Sequence, residues 1–166
     1  MAGLENSSYL IEYIISNIVA ILFLWAAIKK PVLARLMFVL LFGWASVANY
    51  LAAHRNPEEY LNYADASIKW YADFIHGWFQ QHITEMVSLI AIGEGLIAIG
   101  MMLKGWWVKL ACIGVIIFQL AIAPLGVYAA FPFSITLLLA SFFILKKDRF
   151  DYLWHFKVVP KKSIQI

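Results

Sequence analysis

Runs of about twenty apolar residues, each closed by charge or proline, constrain this 166-residue chain more than any other feature, because a run of that length matches the hydrocarbon thickness of a bilayer. The first extends from Tyr9 to Ile28 and stops at Lys29, Lys30 and Pro31, and the second from Val32 to Ala53 and stops at His54 and Arg55. A third covers Ile83 to Leu103, and a fourth opens at Trp106 and ends before Pro124 and Gly126, residues that break helices. The stretch from Phe131 to Leu145 is shorter and is read as a fifth span that a locally thin bilayer accommodates. The expectation is an all-α integral membrane bundle of five transmembrane helices, forming one domain over residues 1–166. With 63% of residues apolar and 14% charged, there is too little polar surface for a soluble globular chain, a disordered chain or a nucleic-acid binder.

Charge placement sets the expected orientation. Five spans with the N-terminus outside put eleven of the thirteen Lys and Arg residues on the cytoplasmic side, leaving Arg55 and Lys69 outside. Four spans would put the six basic residues after Leu145 on the wrong side. The first apolar run has no basic segment before it and reads as a retained helix. The expected location is the bacterial cytoplasmic membrane, with the C-terminus inside.

Residues 56–82 form the one sizeable segment outside the spans. Tyr60, Tyr63, Trp70, Tyr71, Phe74, Trp78 and Phe79 alternate there with Asp65, Lys69, Asp73 and His76, which is the mixture of an interfacial helix lying as a lid on the outer face. The tail from Lys146 onward mixes basic residues with Phe150, Tyr152, Trp154 and Phe156, as expected of an inner-surface segment on anionic lipid or a partner protein.

Glu94 is the leading candidate site residue. It lies midway along the third span, where an acid normally faces the bundle interior and marks a ligand site, a pathway or a hydrogen-bonded pin between helices. Ser88, Ala91, Gly95 and Ala98 form a small-residue stripe beside it, fit for close helix approach or for a membrane partner. By depth, Asn17 and Gln119 are the expected partners of Glu94, and Trp70 and Trp78 the expected lid over a ligand. A second, polar cluster is expected at the outer boundary: Asp73 with His76, and His82 with Glu85, each pair on one helix face. The four converge only if the chain breaks near Gly77, so an ordered polar mouth is expected and no metal site. Arg35 and Lys109 read as partners of lipid phosphate, Glu12 as a water-exposed acid, and Cys112 as a buried small hydrophobe. One cysteine allows no internal dithiol chemistry, and His54, His76, His82 and His155 lie outside the spans or at their edges, against a transmembrane bis-histidine haem. No nucleophile elbow, phosphate loop or dinucleotide fingerprint occurs.

From Arg35 onward the chain resembles the DoxX family of small four-helix membrane proteins. The likeness rests on the opening helix from Arg35 to Gly43, the aromatic outer loop, the acid with its aliphatic run from Glu94 to Leu103, and the turn from Lys104 to Lys109. The Tyr9 to Ile28 helix is then an addition to the family's core. The resemblance implies a bundle with Glu94 inward and a place beside a quinone in a membrane redox complex, which would make the chain an oxidoreductase subunit if it is catalytic. The alternatives are a non-enzymatic assembly partner of another membrane protein or a second copy of itself, and a small-molecule or proton-coupled transporter.

Overall fold

The computed structural model describes residues 7–154, and these are all helix, turn and irregular chain without a strand. The described elements are α1 (Ser7–Lys29), α2 (Pro31–Arg55), a 3-10 segment (Pro57–Ala66), α3 (Lys69–His76), a short 3-10 turn (Phe79–Gln81), α4 (Ile83–Met102), α5 (Trp106–Ile122), a second 3-10 segment (Ala123–Ala129) and α6 (Phe133–Lys147). Four helices are long and apolar enough to cross a bilayer: Leu10–Lys29, Pro31–Arg55, Ile83–Met102 and Trp106–Ala129, the last counting the 3-10 continuation of α5. That is the build of an integral membrane protein. At 15 residues, α6 is only about 22 Å long against a core of about 30 Å, so it does not meet the same length.

The outward surface agrees with a lipid solvent. Ile21, Leu40, Leu96 and Ile117, one from each long helix, are all more than 60% exposed. Inside, the core is built from Ala20, Phe23, Ala27, Phe38, Phe42, Met101, Cys112, Leu137 and Ile144. Successive helices run antiparallel, which gathers the lid, the start of α1 and the α5–α6 connector at one end and the Lys29/Lys30 and Lys104 turns at the other. Local chemistry fits each boundary. Pro31 opens α2 where no N–H is needed, Glu85 sits in the first turn of α4, and Gly105 takes the left-handed backbone that precedes α5.

The most extensive helix–helix contact is that of α2 with α4. Three residues of the small-residue stripe, Ala91, Gly95 and Ala98, meet Gly43 and Ser46 of α2: Ser46 Oγ donates to Ala91 O at 2.7 Å, and a Cβ on Gly95 would lie 3.1 Å from Ser46 Oγ. The stripe is therefore an internal seam and is not free for another protein, which removes one of the features read toward an assembly partner. Gly100 is used in the same way against α5, since a Cβ there would come within 2.8 Å of Ala111 Cβ.

At the basic end, the structure corrects the reading of Arg35 as a lipid-phosphate partner. Arg35 is 1% exposed and its guanidinium is saturated. Nε and Nη2 donate to Met101 O at 2.9 and 2.7 Å, Nη2 to Leu103 O at 2.6 Å, and Nη1 to Asp148 Oδ1 at 3.1 Å and Asp151 O at 2.8 Å. The physical cause is the C-terminus of α4, whose last carbonyls lack helical donors and attract a cation. Asp148 completes the arrangement by accepting from Phe150 N at 2.6 Å. Residues 148–154 are consequently an irregular strap below the α4–α5 turn, with Phe150 O accepting from Gly105 N and Met102 O from Leu153 N. Lys109 sits over the Phe150 ring and Lys104 over the Tyr152 ring, so Lys109 too has a protein partner. The rest of the expected basic tail, and His155, lie outside the described residues.

Candidate functional site

Glu94 is 2% exposed and faces the bundle interior. Its partner is Asn49 of α2, whose Nδ2 donates to Oε1 at 3.0 Å and to Oε2 at 2.9 Å. Asn49 Oδ1 in turn accepts from Tyr60 Oη at 3.0 Å. A relay thus runs from the lid to the carboxyl, Tyr60 to Asn49 to Glu94. The geometry follows from helix direction: side chains tilt toward the N-terminus of their own helix, so on antiparallel α2 and α4 Asn49 and Glu94 lean toward each other.

Neither expected partner takes this place. Asn17 Nδ2 donates to Tyr13 O at 2.9 Å and to Ala130 O at 3.2 Å, which clips α1 to the α5–α6 connector. Gln119 is buried on α5, and its Oε1, like Ser134 Oγ on α6, has no hydrogen-bond partner among the described residues. Depth along a span selected both residues, but azimuth around the helix decides contact.

Two cavities meet at the relay. One, of about 300 Å³, is an apolar chamber under the lid, lined by Tyr71, Phe74, Ile75 and Phe79 from the lid, Val87 and Ile90 from α4, and Phe118, Ala121 and Ile122 from α5, among others. The other, of about 710 Å³, lies between α1, α2, the Pro57–Ala66 segment and the connector, and carries Glu12, Glu59, Tyr13 and Tyr128. Asn49, Tyr60 and Tyr63 line both. Glu94 lines neither, so it supports the wall from behind and does not itself touch an occupant.

The lid segment is fastened to the end of α5 and to the connector that follows it. Ile68 N donates to Pro124 O at 3.1 Å, Tyr71 Oη donates to Ala121 O at 2.8 Å, and Gly126, in the left-handed region, allows the Ala66 backbone to approach closer than any Cβ would permit. Its ligand-facing residues differ from those expected. Trp70 and Trp78 are exposed, 62% and 51%, and point away from the chamber, as indoles at a headgroup boundary do. Burial raises the Tyr71 phenol above its ordinary range, and burial followed by the neighbouring Tyr63, Glu94 and Glu59 pushes Tyr60 up to about 12. Tyr60 therefore keeps its proton as the donor to Asn49.

The boundary cluster does not assemble. The chain does break after His76, but Asp73, His76 and Glu85 remain exposed, while the His82 ring stacks on Trp78 with Nδ1 2.9 Å from Trp78 O. Among the described residues no three His, Cys, Asp or Glu side chains come together as a metal-binding group.

Asn49 and Ser46 do not stand out in the sequence, and Tyr60 does so only as one of the lid aromatics. A small and polar stripe on the second span, Gly43, Ser46 and Asn49, was the available signal, since it mirrors the one around Glu94. Comparison with protein families, with characterised proteins and with solved structures found no match to this chain.

Proposed function

We propose that this chain is a membrane protein that holds a lipophilic small molecule in the chamber beneath the lid, with the polar head of the ligand against Tyr60 and Asn49. The observation that carries the reading is the Glu94-supported relay ending in a wall of the apolar cleft beneath the lid. At about 300 Å³ the chamber lies at the lower end of small-molecule sites, the scale of a single substituted ring.

Hydrogen-bond supply selects the kind of head. The Asn49 amide is committed to Glu94 and the Tyr60 hydroxyl to Asn49, so the wall offers the remaining lone pairs of the Tyr60 oxygen and few donors. A quinol, which donates, fits better than a quinone, which only accepts. A place as a quinone-linked subunit of a membrane redox complex, which the DoxX resemblance implies, agrees with such a site. On this reading α6 is a fifth, short span, supported by its packing between α1 and α5 through Leu137, Ala140 and Ile144, and the basic end faces the bacterial cytoplasm.

The test is calorimetric titration of the protein in lipid nanodiscs with tetramethylhydroquinone and, separately, with the corresponding quinone. The quinol is expected to bind more tightly, and Ile75→Trp, which fills the chamber, to abolish binding. Equal affinity for both forms, or binding untouched by Ile75→Trp, would refute the site.

A further inference from the structure

The larger cavity has a chemistry of its own. Its rim carries two carboxylates, Glu12 from α1 and Glu59 from the lid, and its walls carry Tyr13, Tyr60, Tyr63 and Tyr128, while none of its lining residues is Lys, Arg or His. Ionised carboxylates only accept hydrogen bonds, and the face of a phenol ring is negative, so both kinds of group favour a cation. The approach is biased in the same sense. The Pro57–Ala66 segment that forms one wall carries Glu58, Glu59 and Asp65 and no Lys, Arg or His, a local excess of negative charge that favours the approach of cations. Asn56 Nδ2 donates to Glu59 Oε1 at 3.1 Å, which fixes one carboxylate at the rim without neutralising it. At about 710 Å³ the space is ample for a trimethylammonium group with more of its molecule attached.

We infer that this cavity binds an alkylammonium group, with Glu12 and Glu59 balancing its charge and the tyrosine rings covering its methyl or methylene surface. Two sources carry that chemistry at a membrane boundary: a soluble amine, and the headgroup of an ammonium-bearing phospholipid. The inference rests on Glu12, Glu59 and Tyr13, which line this cavity and not the apolar chamber, so it does not depend on the quinol reading even though Tyr60 and Tyr63 line both.

Choline is the probe, and 3,3-dimethylbutan-1-ol, the same shape without the charge, is its control. Both are titrated by calorimetry into the full chain in phosphatidylglycerol nanodiscs. Choline is expected to bind saturably and the neutral alcohol at least about tenfold more weakly, the scale of a desolvated cation on aromatic faces. Glu12→Gln with Glu59→Gln should weaken choline by a similar factor, whereas Glu58→Gln, whose side chain is exposed and does not line the cavity, should leave it unchanged. Repeating the titration in phosphatidylcholine nanodiscs separates the sources: weaker choline binding there identifies a lipid headgroup as the occupant, and unchanged binding identifies a soluble amine. The inference is overturned if choline shows no saturable binding, if the neutral alcohol binds as well, or if the double substitution has no effect. None of these outcomes bears on tetramethylhydroquinone binding, so the two readings fail separately.

Discussion

Replacing Asn49 with alanine tests the relay at its centre. The substitution removes both hydrogen bonds to the Glu94 carboxyl, 3.0 and 2.9 Å long, at a residue only 2% exposed, so water cannot replace them. It also removes the Oδ1 acceptor of the Tyr60 hydroxyl, a smaller loss because the Asn49 backbone carbonyl, 3.4 Å away, remains and the half-buried phenol can turn to water. Leaving a buried polar group without its partner costs about 1–3 kcal/mol in general. Interhelical hydrogen bonds in a membrane have measured nearer 0.6 kcal/mol on average, with a maximum of about 1.7, because the unfolded chain in the membrane also finds partners. With two bonds lost together, about 1–2 kcal/mol is the expected cost, which changes the folded-to-unfolded ratio by about 5- to 30-fold. The assay is reversible unfolding in mixed micelles by titration with dodecyl sulfate, followed by far-ultraviolet circular dichroism, for Asn49→Ala, Glu94→Leu and the double variant. If the relay is as described, the double variant costs less than the sum of the singles by about 1–2 kcal/mol. A coupling below about 0.3 kcal/mol, within the scatter of independent sites, would refute the reasoning.

At the opposite end, Arg35→Ala should cost about 3–5 kcal/mol in the same assay, because it strands the Asp148 carboxylate, 1% exposed, and the Met101 and Leu103 carbonyls. Arg35→Lys should recover only part, since an ammonium lacks the fork that serves Met101, Leu103, Asp148 and Asp151 together; full recovery by lysine would contradict the geometry. High pH offers a further check. Tyr60 is pushed up to about 12, so between about pH 10 and 12 the folded protein retains a proton that the unfolded chain has released. The contribution of this phenol to stability should be level below pH 10 and be lost as pH rises through that window. Tyr60→Phe should flatten part of the fall, and the remainder belongs in part to Tyr71, whose phenol burial also raises.

The sequence exposed the spans because hydrocarbon thickness imposes a length that a linear count detects. It also revealed Glu94, since an acid amid Ile92, Leu96 and Ile97 stands out on cost alone, and it located the lid through its interleaved aromatics. The partner of Glu94 was not legible. Asn49 lies close to the end of its span and reads as interfacial; only the approach of α2 to α4, set by Gly43, Ser46 and Gly95, carries it to the carboxyl. Arg35 was misread for a related reason. Its charge indicated the surface, but the open carbonyls at the end of α4 exist only once Met101 and Leu103 terminate a helix beside it. Trp70 and Trp78 illustrate the limit for aromatics, because α3 and the turn that follows it present rings to the boundary and to the chamber alike, and only the fold separates them.

The most direct measurement of the α2–α4 register, on which the relay depends, is oxidative cross-linking. A Cβ on Gly95 would lie 3.9 Å from Ser46 Cβ, inside the range of about 3.5–4.5 Å that a disulfide spans. The double variant Ser46→Cys with Gly95→Cys, in a Cys112→Ser background, is predicted to close rapidly under copper phenanthroline, as read by the mass of the linked peptides. The pair Val47→Cys with Gly95→Cys should not, since Val47 is exposed on the outward face. Cross-linking of the second pair without the first would show that α2 presents a different face to α4, and Asn49 would then not meet Glu94.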